Sequence, residues 1–260
     1  MRLLFIGDIV GAPGRRLLMD RLPDLQRDYQ YDVCLANAEN AAAGKGLTGN
    51  LAKRLRESGI DAMTMGNHTF ARSEFLTSID DLPYVVRPAN VPSDWPGHDH
   101  AVVKTVAGTV VVTNLLGRVF MDPVNDPFGP SIPFVESLKE RYKTQLLVVD
   151  FHAEATSEKV AFGHFMDGHC TLVVGTHTHV QTADERILPG GTAVITDVGM
   201  TGPYAGVIGM EKESSLRRFV SHLPSPYAVA EGPAQINAIF IEADPATGRA
   251  LHIERIFIRE

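Results

Sequence analysis

Residues 1–14, MRLLFIGDIVGAPG, set a pattern that the rest of the chain repeats. Residues 3–6 are a short apolar run of the kind that forms a buried strand. Gly7-Asp8-Ile9-Val10-Gly11 follows as a turn, and Pro13 marks the first turn of a helix, where its missing N–H costs nothing. This is a βα unit with an acid at the carboxyl end of its strand. The same grammar returns as strand 32–36, loop 38–46, helix 51–58, strand 62–65 and a helix after Asn67-His68. Strands 146–150 and 171–175, separated by a helical stretch over 157–166, make another crossover. Such alternation predicts a mainly parallel α/β sheet.

Antiparallel pairing enters later. Segments 101–106 and 109–114 flank Ala107-Gly108, a two-residue hairpin turn, and 235–242 with 250–258 reads as a hairpin closing the sheet. The expected fold is therefore α/β, a single domain over 1–260 built as a mixed β-sheet sandwich flanked by helices. Segment 117–133, interrupted by prolines and glycines and carrying Phe120, Met121 and Phe128, reads as a cap or lid loop.

Composition narrows the partners. With 44% hydrophobic residues the chain can bury a sizeable core. Lys and Arg number 24 against 31 Asp and Glu, a net charge of −7, which opposes an extended nucleic-acid surface but not a small phosphorylated ligand held by metal. No apolar run approaches the roughly 18 residues of a membrane span, and no export signal follows Met1. Cys34 and Cys170 sit inside strand-like runs as small buried hydrophobes. The expected location is the reducing cytoplasm, without a membrane partner, and a homo-oligomer is the base-rate expectation.

The chemistry lies at the strand ends, where ligands bind in α/β sheets. In chain order these carry Asp8, Glu39-Asn40, Asn67-His68, His152, and His177 with His179. Taken singly, Asp8 could cap a helix and Glu39-Asn40 could be a polar loop; five strand ends bearing donors in turn argue otherwise. Two carboxylates, two amide oxygens and three imidazoles suit Mn, Fe or Zn, and seven donors are too many for one ion. The expectation is two transition-metal ions, iron first and manganese next, bridged by a carboxylate such as Glu39. In Gly175-Thr176-His177-Thr178-His179 an extended backbone would turn both histidines to one side, toward neighbouring metals. The other six of the ten histidines, outside His68 and these three, lack that strand-end setting.

The motifs Gly7-Asp8, Glu39-Asn40, Gly66-Asn67-His68, His152 and Gly175-Thr176-His177-Thr178-His179 resemble those of the calcineurin-like metallophosphoesterase superfamily. More closely, IGDIVG, ANAENAAAGKGLT at 36–48, GNHTF at 66–70 and GTHTHVQTADERILPGGTA resemble the YmdB-like family of bacterial cyclic-nucleotide phosphodiesterases. The superfamily's first motif usually holds a further histidine where this chain has Val10, and its bridging Asp is Glu39 here; the resemblance implies that Asn40 replaces the lost histidine. It implies Asp8, Glu39, Asn40 and His179 on a first metal, and Glu39, Asn67, His152 and His177 on a second. It further implies His68 as general acid, a 2′,3′-cyclic nucleotide as substrate and a nucleoside 3′-phosphate as product. Phe120, Met121, Phe128 and Tyr204 are the expected contacts to the base.

Rival readings have less behind them. Gly7, Gly11 and Gly14 do not make the spacing of a dinucleotide-binding turn, and Lys45 between Gly44 and Gly46 lacks the rest of a P-loop. A regulatory protein sensing a nucleotide through the same metal site is the alternative from another class.

Overall fold

The computed structural model describes residues 1–226 and 228–260. Its elements run β1 (Arg2–Ile6), β2 (Asp8–Ile9), α1 (Gly11–Tyr29), β3 (Val33–Asn37), α2 (Gly49–Glu57), β4 (Ala62–Thr64), β5 (Val85–Val86), β6 (His100–Thr105) and β7 (Gly108–Leu116). They continue α3 (Ser131–Tyr142), β8 (Leu146–His152), α4 (Thr156–Phe165), β9 (Leu172–Thr176), β10 (Arg186–Ile187), β11 (Ala193–Ile195), β12 (Met200–Pro203), α5 (Lys212–Ser221), β13 (Ala234–Ala243) and β14 (Ala250–Arg259).

The strands form two mixed sheets. One runs β2-β12-β13-β1-β3-β4-β5 with β14 beside β13, and the other runs β10-β11-β9-β8-β7-β6. The period of two along β1 decides how they stack. Leu4 and Ile6 pack with Leu18, Leu22 and Leu25 of α1. Leu3 and Phe5 point the other way, onto Val110, Val112, Val148 and Val174 of the second sheet. The far face of that sheet, Val111, Val149 and Phe151, is covered by Val135 and Leu138 of α3 and Phe162 of α4. The result is helix, sheet, sheet, helix, and each fully buried Leu, Ile or Phe contributes about 1.5–3 kcal/mol to holding the layers together.

Three local expectations are corrected. After Asn67-His68 there are only two 3₁₀ turns, Ser73–Thr77 and Ile79–Asp81. The hydroxyls of Thr77 and Ser78 donate to the carbonyls of Glu74 and Phe75, a local bond that competes with helix propagation. The hairpin tip is Val106-Ala107, since Thr105 pairs with Gly108, whose φ of 142° suits glycine, and the Thr105 hydroxyl accepts from the Ala107 N–H. The irregular stretch after Gly117 ends earlier than expected, because α3 begins at Ser131 and carries Pro133 in its first turn, where proline is tolerated. No helix among the described residues is long and apolar enough to cross a membrane.

Candidate metal centre

The donor side chains of both stacked sheets converge at the carboxyl ends of their parallel strands. Asp8 lies in β2, Glu39 and Asn40 follow β3, Asn67 and His68 follow β4, His152 ends β8, and His177 and His179 follow β9. Asp8, Glu39 and His152 are fully buried and Asn40 nearly so. Asp8 does not cap α1: the residue at that cap is Val10, without a side-chain bond.

The donors fall into two groups that share Glu39. Around His152 Nε2 lie Asn67 Oδ1 at 3.0 Å, His177 Nδ1 at 3.0 Å and Glu39 Oε1 at 3.1 Å. Donor separations near 3 Å are those of neighbouring ligands at bonds of about 2.0–2.2 Å to one ion. In the second group His179 Nε2 lies 3.6 Å from Asp8 Oδ1 and 3.1 Å from Asn40 Nδ2, which is itself 3.4 Å from Glu39 Oε1. The route by which the two His-x-His side chains arrive differs from the extended one expected. The backbone bends at both, with φ of 99° at His177 and 66° at His179, so they enter from different directions. Gly66 is part of this packing: a Cβ there would lie 2.4 Å from Glu39 Oε2 and 2.6 Å from His152 Nε2.

Each histidine has its remaining ring nitrogen committed. The Thr176 hydroxyl gives its proton to Asp150 Oδ1 at 2.6 Å, so it accepts from His152 Nδ1–H at 2.8 Å. His179 Nδ1–H donates to the Ile208 carbonyl at 2.9 Å, and His177 Nε2 lies within ion-pair distance of Glu154 Oε2, at 3.1 Å. Each ring so turns its other nitrogen toward the cluster, the orientation that metal-ligating histidines take. Asn40 is the exception to the expected donor set: it turns Nδ2 toward Asp8 and His179 and offers Oδ1 to His68 Nδ1 at 3.1 Å. Sequence reasoning misses the partners Thr176, Asp150, Glu154 and Ile208; Asp150, two residues before His152 in an apolar strand, is the one visible signal among them.

Charge balance within the cluster is tight. Burial alone would raise the Glu39 carboxyl, yet His152 and His68 hold it well below the usual range. Burial opposes ionisation of Asp8 as well, and His179 overcomes it; in return Asp8 pushes His179 up to about 9 against its own burial. His177, buried and beside His152, falls to about 3. Asp150 is pushed by burial up to about 6, although His152, Thr176, Thr64 and Asn37 all pull it back. A buried set holding two carboxylates and three imidazoles this close fits cations better than water.

The cluster floors a cavity of about 650 Å³, a size that takes a small ligand, with walls that include Ala43, Lys45, His68, Arg72, Ile208 and Met210. His68 donates its backbone N–H to Glu39 Oε2 at 2.9 Å, which fixes it at the rim. The aromatic residues expected at the base are elsewhere. Phe128 packs against Phe151, Phe162 and Phe165 outside the second sheet, Met121 is packed on the same cluster, and Phe120 is 89% exposed. Phe128 is held there by the rings of Phe162 and Phe165 on α4. Tyr204 lines an adjoining cleft.

The chain is similar to known proteins over its whole length. A 2′,3′-cyclic-nucleotide 2′-phosphodiesterase of Bacillus subtilis (strain 168) is 49% identical over 260 residues, covering 100% of this chain and 98% of that protein. A crystal structure of a Mycoplasma pneumoniae protein described as a novel phosphatase matches with a TM-score of 0.91 at 37% identity, covering 100% of this chain and 93% of that one. A hypothetical protein from Thermus thermophilus matches equally, at 0.91 and 40% identity, with both chains covered completely. The model of the family described as YmdB-like protein matches residues 4–256, and with this cluster of donors at its strand ends the chain belongs to the YmdB-like family of phosphodiesterases and phosphatases.

Proposed function

We propose that the chain is a two-metal phosphodiesterase that opens the cyclic phosphate of a 2′,3′-cyclic nucleotide and releases a nucleoside 3′-phosphate in the cytoplasm. The observation that carries this reading is the division of the clustered donors into two groups sharing the buried Glu39, beneath a cavity of nucleotide size. Asp8, Glu39, Asn40 and His179 would hold one ion; Glu39, Asn67, His152 and His177 would hold the other. Ligation through the oxygen of Asn40 would require a half-turn of its amide, which ends the contact that Oδ1 now makes with His68 Nδ1. Iron or manganese bound there supplies activation of water and neutralisation of phosphoryl charge.

The chain's own groups do the rest. The new bond joins water oxygen to phosphorus while the bond from phosphorus to the 2′ oxygen breaks. His68, standing at the rim of the cavity, gives a proton to that departing oxygen. Ala43, Ile208 and Met210 offer the nucleoside an apolar wall, and Lys45 places a cation on the same cavity.

The test pairs elemental analysis with hydrolysis of 2′,3′-cyclic AMP by the wild type and Asn67→Ala. About two transition-metal ions per chain, 3′-AMP as product and collapse in the variant are expected. His68→Ala should keep its metal and lose turnover by roughly a hundredfold or more. Absence of both metal and turnover after Fe or Mn is supplied would overturn the reading.

A further inference from the structure

Beyond His179 the metal cavity opens into a second cleft of about 390 Å³, and His179 and Ile208 line both. A mononucleotide needs only the first of these spaces. The cleft's outer wall carries arginine and aromatic side chains. Arg259, on β14, stacks its guanidinium between two rings, 4.8 Å from the centroid of Tyr204 and 4.7 Å from that of Phe257. Phe257 is half-exposed, at 52%. Arg255 lies in the same cleft, anchored by Glu185 at 2.7 Å, while Arg259 has no carboxylate within bridging distance among the described residues. An open aromatic–arginine stack beside a second arginine matches two things at once, a flat base and a phosphodiester anion.

The geometry points to a substrate longer than a mononucleotide: we propose that the site also takes the 3′ end of a short oligoribonucleotide bearing a terminal 2′,3′-cyclic phosphate, with its penultimate nucleotide in the Tyr204–Phe257–Arg259 cleft. This rests on the cyclic-phosphodiesterase reading above. Once the terminal 2′ and 3′ oxygens are held at the donor cluster, the chain can continue only through the 5′ oxygen, and the space adjoining the cavity past His179 is where the next residue goes. The 5′ phosphodiester would meet the arginines and the penultimate base the stack. A net charge of −7 restricts the fit to a short end, because two arginines cannot displace the counterions of a long strand.

The test compares kcat/KM of the metal-loaded protein on adenylyl-(3′→5′)-adenosine 2′,3′-cyclic phosphate and on 2′,3′-cyclic AMP, in the wild type, Arg259→Ala and Phe257→Ala. Circular dichroism and metal content check that each variant is intact. The wild type should favour the dinucleotide about tenfold, toward the lower end of what one stacked base contributes. Either variant should pull that ratio toward one, and added salt should shrink it in the wild type. A wild-type ratio near one, or a ratio that neither variant moves, overturns the proposal while leaving the phosphodiesterase reading intact. A fall in sedimentation mass in the variants at an unchanged ratio overturns it too, and assigns the cleft to contact with a second copy. Turnover of neither substrate sinks both readings and is recognised as such, because the mononucleotide is then inert as well.

Discussion

Thr176 has a single hydroxyl proton, and Asp150 takes it, so the hydroxyl must accept from His152. That chain of two bonds keeps His152 Nε2 bare among the other donors, and Asp150 is itself held by Thr64 and Asn37 inside the protein. Thr176→Val keeps the shape and removes both bonds. It should weaken metal binding by about 10- to 100-fold, as loss of an outer partner of a ligating histidine does. Thr176→Ser should restore binding to near the wild-type level. Titration of metal into stripped protein checks both, and equal affinities for Val and Ser would mean that the hydroxyl does not orient the ring. Asp184 shows how a single carboxylate makes stability depend on pH. Burial alone would raise it, but Thr182 and Thr196 hold it below its ordinary 3.8, with Thr182 Oγ1 donating at 2.6 Å and the Thr196 N–H at 3.1 Å. A depressed folded value means the stabilisation is present above about 3.8 and is lost as pH falls through the folded value. Asp184→Asn should therefore melt below the wild type at pH 7, by about 1–3 kcal/mol for hydrogen bonds to a charged group, and the gap should close in acid. Melting curves taken downward from pH 7 compare them, and a gap that does not begin to shrink as pH falls below about 3.8 would assign the loss to packing.

The segment after β9 carries two of the donors, and an ion pair holds it in place. Asp197 is buried with Lys159 at 2.7 Å, and the same carboxylate oxygen accepts from both the N–H and the hydroxyl of Thr178, the residue between His177 and His179. A pair this dry is costly to break from one side, about 3–5 kcal/mol, because the partner is left charged and buried. Lys159→Met should lower the melting temperature by roughly 6–20 °C at about 2–4 °C per kcal/mol, and it should loosen His179 with it. A melting temperature within a degree or two of wild type would show that Thr178 and Gly199 suffice to hold Asp197. This clamp also marks the limit of what sequence reading reaches. The apolar runs ending at Asp8, Glu39, Asn67, His152 and His177 were legible because a strand of period two followed by a polar residue is a local pattern. The partners were not, since Ile208 reaches His179 through a backbone carbonyl and Asp197 reaches Thr178 across 19 residues. The prolines and glycines of 117–133 hid the start of α3, and side-chain bonds of Ser and Thr turned an expected helix into 3₁₀ turns.

At the scale of the whole molecule the donor cluster is a clasp between the two sheets. Asp8, Glu39, Asn40 and Asn67 come from the β1, β3 and β4 side, and His152, His177 and His179 from β8 and β9 of the other sheet. Much of the seam is non-directional apolar packing, and the cluster adds to the few specific bonds that cross it, such as those from Asn37 and Thr64 to Asp150. An ion that takes ligands from both sides binds the folded state and finds no such site in the unfolded chain, and mass action then adds stability. At a metal concentration about 100 times Kd the gain is about 2.7 kcal/mol, or roughly 5–10 °C for a chain of this size. Stripping the metal should lower the melting temperature by that amount and adding Mn or Fe should restore it. Glu39→Gln removes the carboxylate common to both donor groups, so its melting temperature should hardly respond to added metal, whatever its baseline once stripped. If the variant gains as much from metal as the wild type, Glu39 is not shared between two ions, and the clasp is a single-ion site on one side of the seam.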